Sequence, residues 1–124
     1  MSKYFLYTLS IIFIVFSCDK KAIHEYFVKN DCEEIITVDI LDYRNNFSST
    51  EIAPSIEKVI YSGETINSVY EDEITYFMKD IKIKKGHKML NKNLLDYTVW
   101  RFEEKSRLDA KSYFTVNPED FEDE

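Results

Sequence analysis

The stretch IITVDILDY, residues 35–43, decides the fold. Ile36, Val38 and Ile40 fall on one face of an extended chain, and Thr37 and Asp39 on the other. A period of two built from β-branched residues belongs to a strand with one buried face. A helical period would scatter the same side chains around an axis.

Working outward, the same grammar repeats. Toward the N-terminus, Tyr26-Phe27-Val28 opens a strand that ends in KNDC, residues 29–32. Toward the C-terminus, Arg44-Asn45-Asn46 opens a loop that runs to about Ser49. Ile52 and Ala53 then lead into Pro54, which cannot donate to a strand ladder and marks an edge or boundary. Residues 56–61 alternate again and close on Ser62-Gly63, while residues 64–73 allow a single helical turn. Residues 74–78 and 81–83 read as extended. Gly86 supplies the positive φ of a tight hairpin turn, and Met89-Leu90 begins the return.

The last hairpin pairs YTVWRF (97–102) with SYFTV (112–116) across a charged connection, residues 103–111. In one register Trp100 and Phe102 face the core opposite Phe114 and Val116. In the other, Tyr97 and Val99 face in with Tyr113. About seven short strands at regular spacing predict an all-β fold, an antiparallel immunoglobulin-like β-sandwich behind an N-terminal signal helix. The 107 residues from Cys18 to Glu124 suffice for one core that stands without disulfide or metal.

Composition agrees with a packed domain. Only 2 Gly and 2 Pro occur in 124 residues, and 15% are aromatic. From Cys18 onward fifteen basic residues face 23 acidic ones, a net charge of −8. Such a field repels phosphate backbones, so no nucleic-acid partner is expected.

The N-terminus follows a different rule. Met1-Ser2-Lys3 is short and positive, and residues 4–16 (YFLYTLSIIFIVF) carry no charge. As a helix this run spans roughly 20 Å, against the roughly 30 Å of a bilayer core, so it fits the hydrophobic region of a secretory signal. Its end, Val15-Phe16-Ser17-Cys18, resembles the lipobox of bacterial lipoproteins, with Phe16 bulkier than the residue usual there. The resemblance implies that Cys18 receives a diacylglyceryl group on its thiol and becomes the new N-terminus. The expected organisation is then a signal peptide over 1–17, a lipidated tether over 18–24, a β-sandwich over 25–118 and an acidic tail over 119–124.

A second likeness spans most of the mature chain. The lipobox, a first strand ending in Asn30, the "IAP" step at 52–54, the strand bearing Trp100 and the closing SYFTVNPEDF resemble small uncharacterised lipoproteins of Bacteroidota. That resemblance implies an envelope domain and transfers no active site.

No catalytic residue, metal site or cofactor site emerges from the motifs. His24, in the expected tether, and His87, beside a turn, lack metal-ligand spacing. The acidic runs at 71–73 and 119–124 read as solvated, and two glycines exclude phosphate-cradling loops. No Ser/His/Asp set stands out. With Cys18 alkylated, Cys32 has no disulfide partner, and its acidic neighbours raise its thiol pKa. Asn46-Phe47-Ser48 matches a glycosylation sequon, read as coincidental.

These readings lead to a non-enzymatic, lipid-anchored envelope domain, held to the membrane through Cys18, that contacts an envelope protein or polymer. One alternative is an acidic immunity or inhibitor protein against a basic toxin or hydrolase. Another is a glycan-binding or surface-assembly subunit, which requires a solvent-facing aromatic strip near Trp100.

Overall fold

The computed structural model describes residues 20–121. Cys18, the signal run before it and residues 122–124 of the acidic tail lie outside the described residues. The alternation that begins at residue 35 becomes strand β2, Ile36–Asp42, with Ile36, Val38 and Ile40 buried. Around it the described residues form eight strands: β1 (Lys21–Asn30), β3 (Phe47–Ile52), β4 (Glu57–Ile66), β5 (Met78–Lys85), β6 (Lys88–Met89), β7 (Arg101–Ser106) and β8 (Asp109–Val116) complete the set. They make two four-stranded sheets, ordered β4-β1-β8-β7 and β3-β2-β5-β6. The inner faces share one core, in which Tyr26, Val28 and Phe114 of the first sheet meet Val38, Ile52 and Ile83 of the second. The chain is an all-β sandwich, as the spacing predicts.

One pairing carries the architecture. β1 and β8 lie side by side and parallel, with Ile23 beside Asp109 and Asn30 beside Val116. The other strand pairs are antiparallel. The chain therefore enters the sandwich at one end, near Lys21, and the last strand leaves it at the opposite end, beside Asn30. Ten residues of β1 set these ends roughly 30 Å apart.

Several expectations are corrected. β1 begins at Lys21, so residues 21–24 belong to the sheet and not to the tether expected over 18–24. Its burial alternates without a break, with Ala22, His24, Tyr26, Val28 and Asn30 pointing in. β3 occupies part of the expected loop. It is a polar edge strand, FSSTEI, with only Ile52 fully buried, so its pattern carries little apolar signal. Residues 74–77 form a helical turn, α1, that buries Ile74 and Phe77, where an extended segment was expected.

The charged connection 103–111 is mostly paired strand: β7 and β8 are joined at Arg107-Leu108, and Glu103 sits opposite Lys111. An exposed edge strand reads as a loop because both of its faces are polar. Part of the tail also packs. Pro118–Asp120 form a 3₁₀ turn, and Phe121 is buried and bridged to Leu90.

Glycine holds two joints where a side chain would clash or strain the backbone. Gly63 lies opposite His24, and a Cβ there would stand 2.5 Å from the Phe77 ring. Gly86 takes φ 61°, as the hairpin requires. At the far end the buried Asn30 amide closes the β1–β2 turn. It donates to Glu34 O at 2.7 Å and Ile52 O at 2.9 Å, and it accepts from Cys32 N at 2.8 Å.

Candidate functional site

The first sheet carries the chemistry, on both of its faces. On the inner face the β1 alternation aims His24 into the interior, at 0% exposure. β8 brings Ser112 to it from one side, and the residue before α1, Glu73, reaches it from another. Nε2 of His24 lies 2.7 Å from Ser112 Oγ, and Nδ1 lies 2.7 Å from Glu73 Oε1. A carboxylate can only accept, so Nδ1–H donates to Glu73; in the neutral imidazole Nε2 then accepts the Ser112 hydroxyl. Tyr26 stacks on the imidazole at 4.3 Å and places its hydroxyl 3.4 Å from Nδ1. Burial, and then the charges of Glu73 and Tyr61, push the Tyr26 phenol far above its ordinary range.

This is the connectivity of a nucleophilic triad. Its setting differs. Ser112 is 2% exposed and Phe102 packs edge-on against the imidazole at 5.5 Å, so the hydroxyl is closed to a reacting carbonyl. The chain of bonds links three elements. It ties the segment before α1 to the middle of the sheet, and among the described residues no buried side-chain N or O lacks a partner.

The outer face of the same sheet breaks the expected pattern differently. Outward positions of a one-sided sheet are usually polar. Here a row of large side chains crosses all four strands in register: Val59 beside Phe27, Phe27 beside Tyr113, Tyr113 beside Arg101. Val59 is 47% exposed, and the two rings are half-buried and stack on each other at 5.2 Å. The Arg101 guanidinium lies 4.3 Å above the Tyr113 ring, and the Lys111 ammonium 5.6 Å from that of Phe27. Cations over ring faces hold such rings in a fixed, flat presentation.

The residues singled out in the sequence are spread widely. Cys18 lies outside the described residues. His87 is exposed beside the Gly86 turn, whereas His24, expected in a tether, is buried at the centre of the polar chain. The acidic run 71–73 divides: Glu71 and Asp72 are solvated, and Glu73 is the buried partner of His24. Cys32 is buried, with Sγ 3.8 Å from Val116 O. Burial first, and Asp120, Asp31 and Glu119 next, raise its thiol pKa against an opposing effect of Lys85.

Trp100 is 5% exposed and its indole N–H donates to Leu94 O at 2.8 Å, so it does not present the solvent-facing aromatic strip that the glycan-binding or surface-assembly alternative requires. Phe114 and Val116 are buried with it, as in the first of the two expected registers, but Phe102 is only half-buried and lies opposite Ser112. Tyr97–Val99 form a 3₁₀ turn where strand was expected, so β7 starts only at Arg101. Among the described residues no three His, Cys, Asp or Glu side chains converge on a metal position.

Sequence reasoning missed His24–Glu73–Ser112 because its members lie 49 and 88 residues apart. It missed the outer row because Phe27 and Tyr113 sit in strands that do not adjoin in sequence. Comparison with known proteins adds no relative: no family model, curated protein or solved structure matches the chain.

Proposed function

We propose that the protein is a lipid-anchored, non-enzymatic binding domain of a bacterial envelope, and that it meets an envelope protein or polymer through the outer face of the β4-β1-β8-β7 sheet. The row Val59–Phe27–Tyr113–Arg101 carries this reading. An apolar, ring-bearing stripe on the solvent face of a sheet costs hydration unless a partner covers it. The closed hydroxyl of Ser112 favours a binding role over acyl transfer. The Val15-Phe16-Ser17-Cys18 end supports the anchor. No helix among the described residues is long and apolar enough to cross a membrane.

Placing a photo-reactive phenylalanine analogue at residue 27, with a control at the exposed Phe47 on the other sheet, tests the surface in cells. Covalent adducts from position 27 that vanish with Tyr113→Ser are expected. Adducts from position 47 alone, or from neither, contradict the assignment.

A second reading has its own support. At the end where β8 leaves the sandwich, Asp31, Glu33 and Glu34 line a concavity of about 410 Å³ with Lys85 and Pro118, beside the exposed Glu119. An acidic end of this kind suits the immunity or inhibitor alternative, with a basic protein as partner. Association that slows steeply with added salt favours it, and salt-indifferent association counts against it.

A further inference from the structure

The end of the sandwich where the chain enters carries a second apolar surface, separate from the outer row. β1 starts at Lys21, opposite Ile66 at the end of β4. Asn67, at φ 74°, then folds back so that its N–H donates to Lys20 O at 2.8 Å and its side-chain oxygen accepts from Lys20 N at 3.2 Å. Val69 N–H donates to Arg107 O at 3.0 Å, which brings the β7–β8 turn to the same end. Lys20 is thereby fixed to the body of the domain and is not part of a free tether.

The side chains displayed there are unusual for a solvated edge. Ile66 is 67% exposed, Tyr76 62% and Tyr70 61%, the most exposed large hydrophobics of the domain apart from Phe47. Two adjoining concavities separate them. One, of about 500 Å³, is lined by Lys20, Lys21, Glu64, Ile66 and Tyr76. The other, of about 260 Å³, lies between Tyr70 and Tyr76 above Glu73. Bonding of Glu73 to His24 holds the segment that bears Tyr70 and Tyr76.

We infer that this surface rests in the headgroup region of the bilayer that holds the lipid on Cys18. The inference depends on the anchored reading given above. Its warrant is length. Cys18 and Lys20 are two residues apart, so at most about 7 Å of chain separates the Cα of the lipid-bearing residue from that of the first fixed one. A domain on so short a leash cannot stand off from the lipid surface, and the entry end is the part brought down. The chemistry there suits an interface: tyrosines with apolar rings and polar hydroxyls, a protruding isoleucine, and the exposed Lys20, Lys21 and Arg107, whose long apolar stems let their charges reach phosphate. Glu64 and Asp72 line the same two concavities and limit the depth to the headgroup layer. The acidic end, with Asp31 and Glu33, then points away from the membrane.

The test uses the full lipidated chain, reconstituted in phosphatidylethanolamine–phosphatidylglycerol vesicles. An environment-sensitive fluorophore is placed through Ile66→Cys or, as a control at the far end, Glu33→Cys. Cys32 is buried, at 4% exposure, and the labelled parent without either substitution serves as the blank. Spin-labelled lipid should quench the probe at 66 and shift its emission to the blue, with the probe at 33 unchanged. Equal quenching at both positions, or at neither, overturns the inference while co-sedimentation with vesicles leaves the anchor intact. A blue shift at 66 without lipid quenching means that another copy of the chain covers the surface, and overturns it too. Absence of acyl label from the parent protein removes the anchor and this inference together.

Discussion

Replacing His24 by Leu separates a mechanical role for the buried polar chain from an incidental one. Leucine fills most of the imidazole's volume beside Tyr26 and Phe102 but accepts and donates nothing. Two groups then lose their partner at once: the Ser112 hydroxyl, 2% exposed, and the Glu73 carboxylate, 8% exposed. A buried hydroxyl stranded in this way costs about 1–3 kcal/mol, and an orphaned carboxylate more. Glu73 sits close enough to the surface to recover some water, which places the sum at about 3–5 kcal/mol. Ser112→Ala removes one neutral bond and should cost about 1–2 kcal/mol.

The two changes must not add. In the His24→Leu background the Ser112 hydroxyl has already lost its acceptor, so Ser112→Ala should cost nothing further. Urea unfolding of the chain from Asp19 onward gives the readout, because the single tryptophan, Trp100, is buried and reports the core directly. With an m-value of about 1.5 kcal/mol/M for a domain of this size, His24→Leu should lower the midpoint by about 2–3 M. A drop below about 0.5 M refutes the reasoning, as does a Ser112→Ala cost that is the same in both backgrounds.

Three further outcomes follow from the packing. Gly63→Ala drives a methyl group against the Phe77 ring and should destabilise by about 2 kcal/mol; co-substitution of Phe77 by Leu should recover part of that loss. Tyr26 and Tyr61 both have phenol pKa values raised from 10.0, burial being the largest cause in each. The unfolded chain therefore releases these protons first, and stability is full below about pH 10 and falls above it, by up to about 1.4 kcal/mol per pH unit for the well-buried Tyr26 and by less for the more exposed Tyr61. Tyr26→Phe should remove the larger part of that slope in an alkaline unfolding series, and an unchanged slope removes Tyr26 from the effect. Cys32, with its thiol pKa raised by burial, should resist iodoacetamide in the folded chain and react at the unfolded rate in denaturant; fast native alkylation contradicts its placement.

How much of this was legible beforehand depends on the range of each signal. Ile36, Val38 and Ile40 announce a strand because neighbours two apart decide it, and Gly86 announces its turn for the same local reason. The inward register of Trp100 and Phe114 was one of two that the pattern allowed, and packing selected it. Long-range features left no trace. His24 reads as a tether residue until β1 gains β4 and β8 as neighbours, after which it has no solvent to face. The polar strands β3 and β7 satisfy their backbone against β2 and β8, a benefit invisible in their own side chains. The parallel β1–β8 pairing joins the two ends of the domain and belongs to topology alone.

The proposed lipid on Cys18 is measured directly by the intact mass of the protein extracted from membranes. A chain that begins at Cys18 and carries a thioether-linked diacylglyceryl group, lost with Cys18→Ser, is the expected species. A chain that keeps residues 1–17, or that begins at Cys18 with an unmodified thiol, contradicts the anchor and the membrane-facing surface drawn from it.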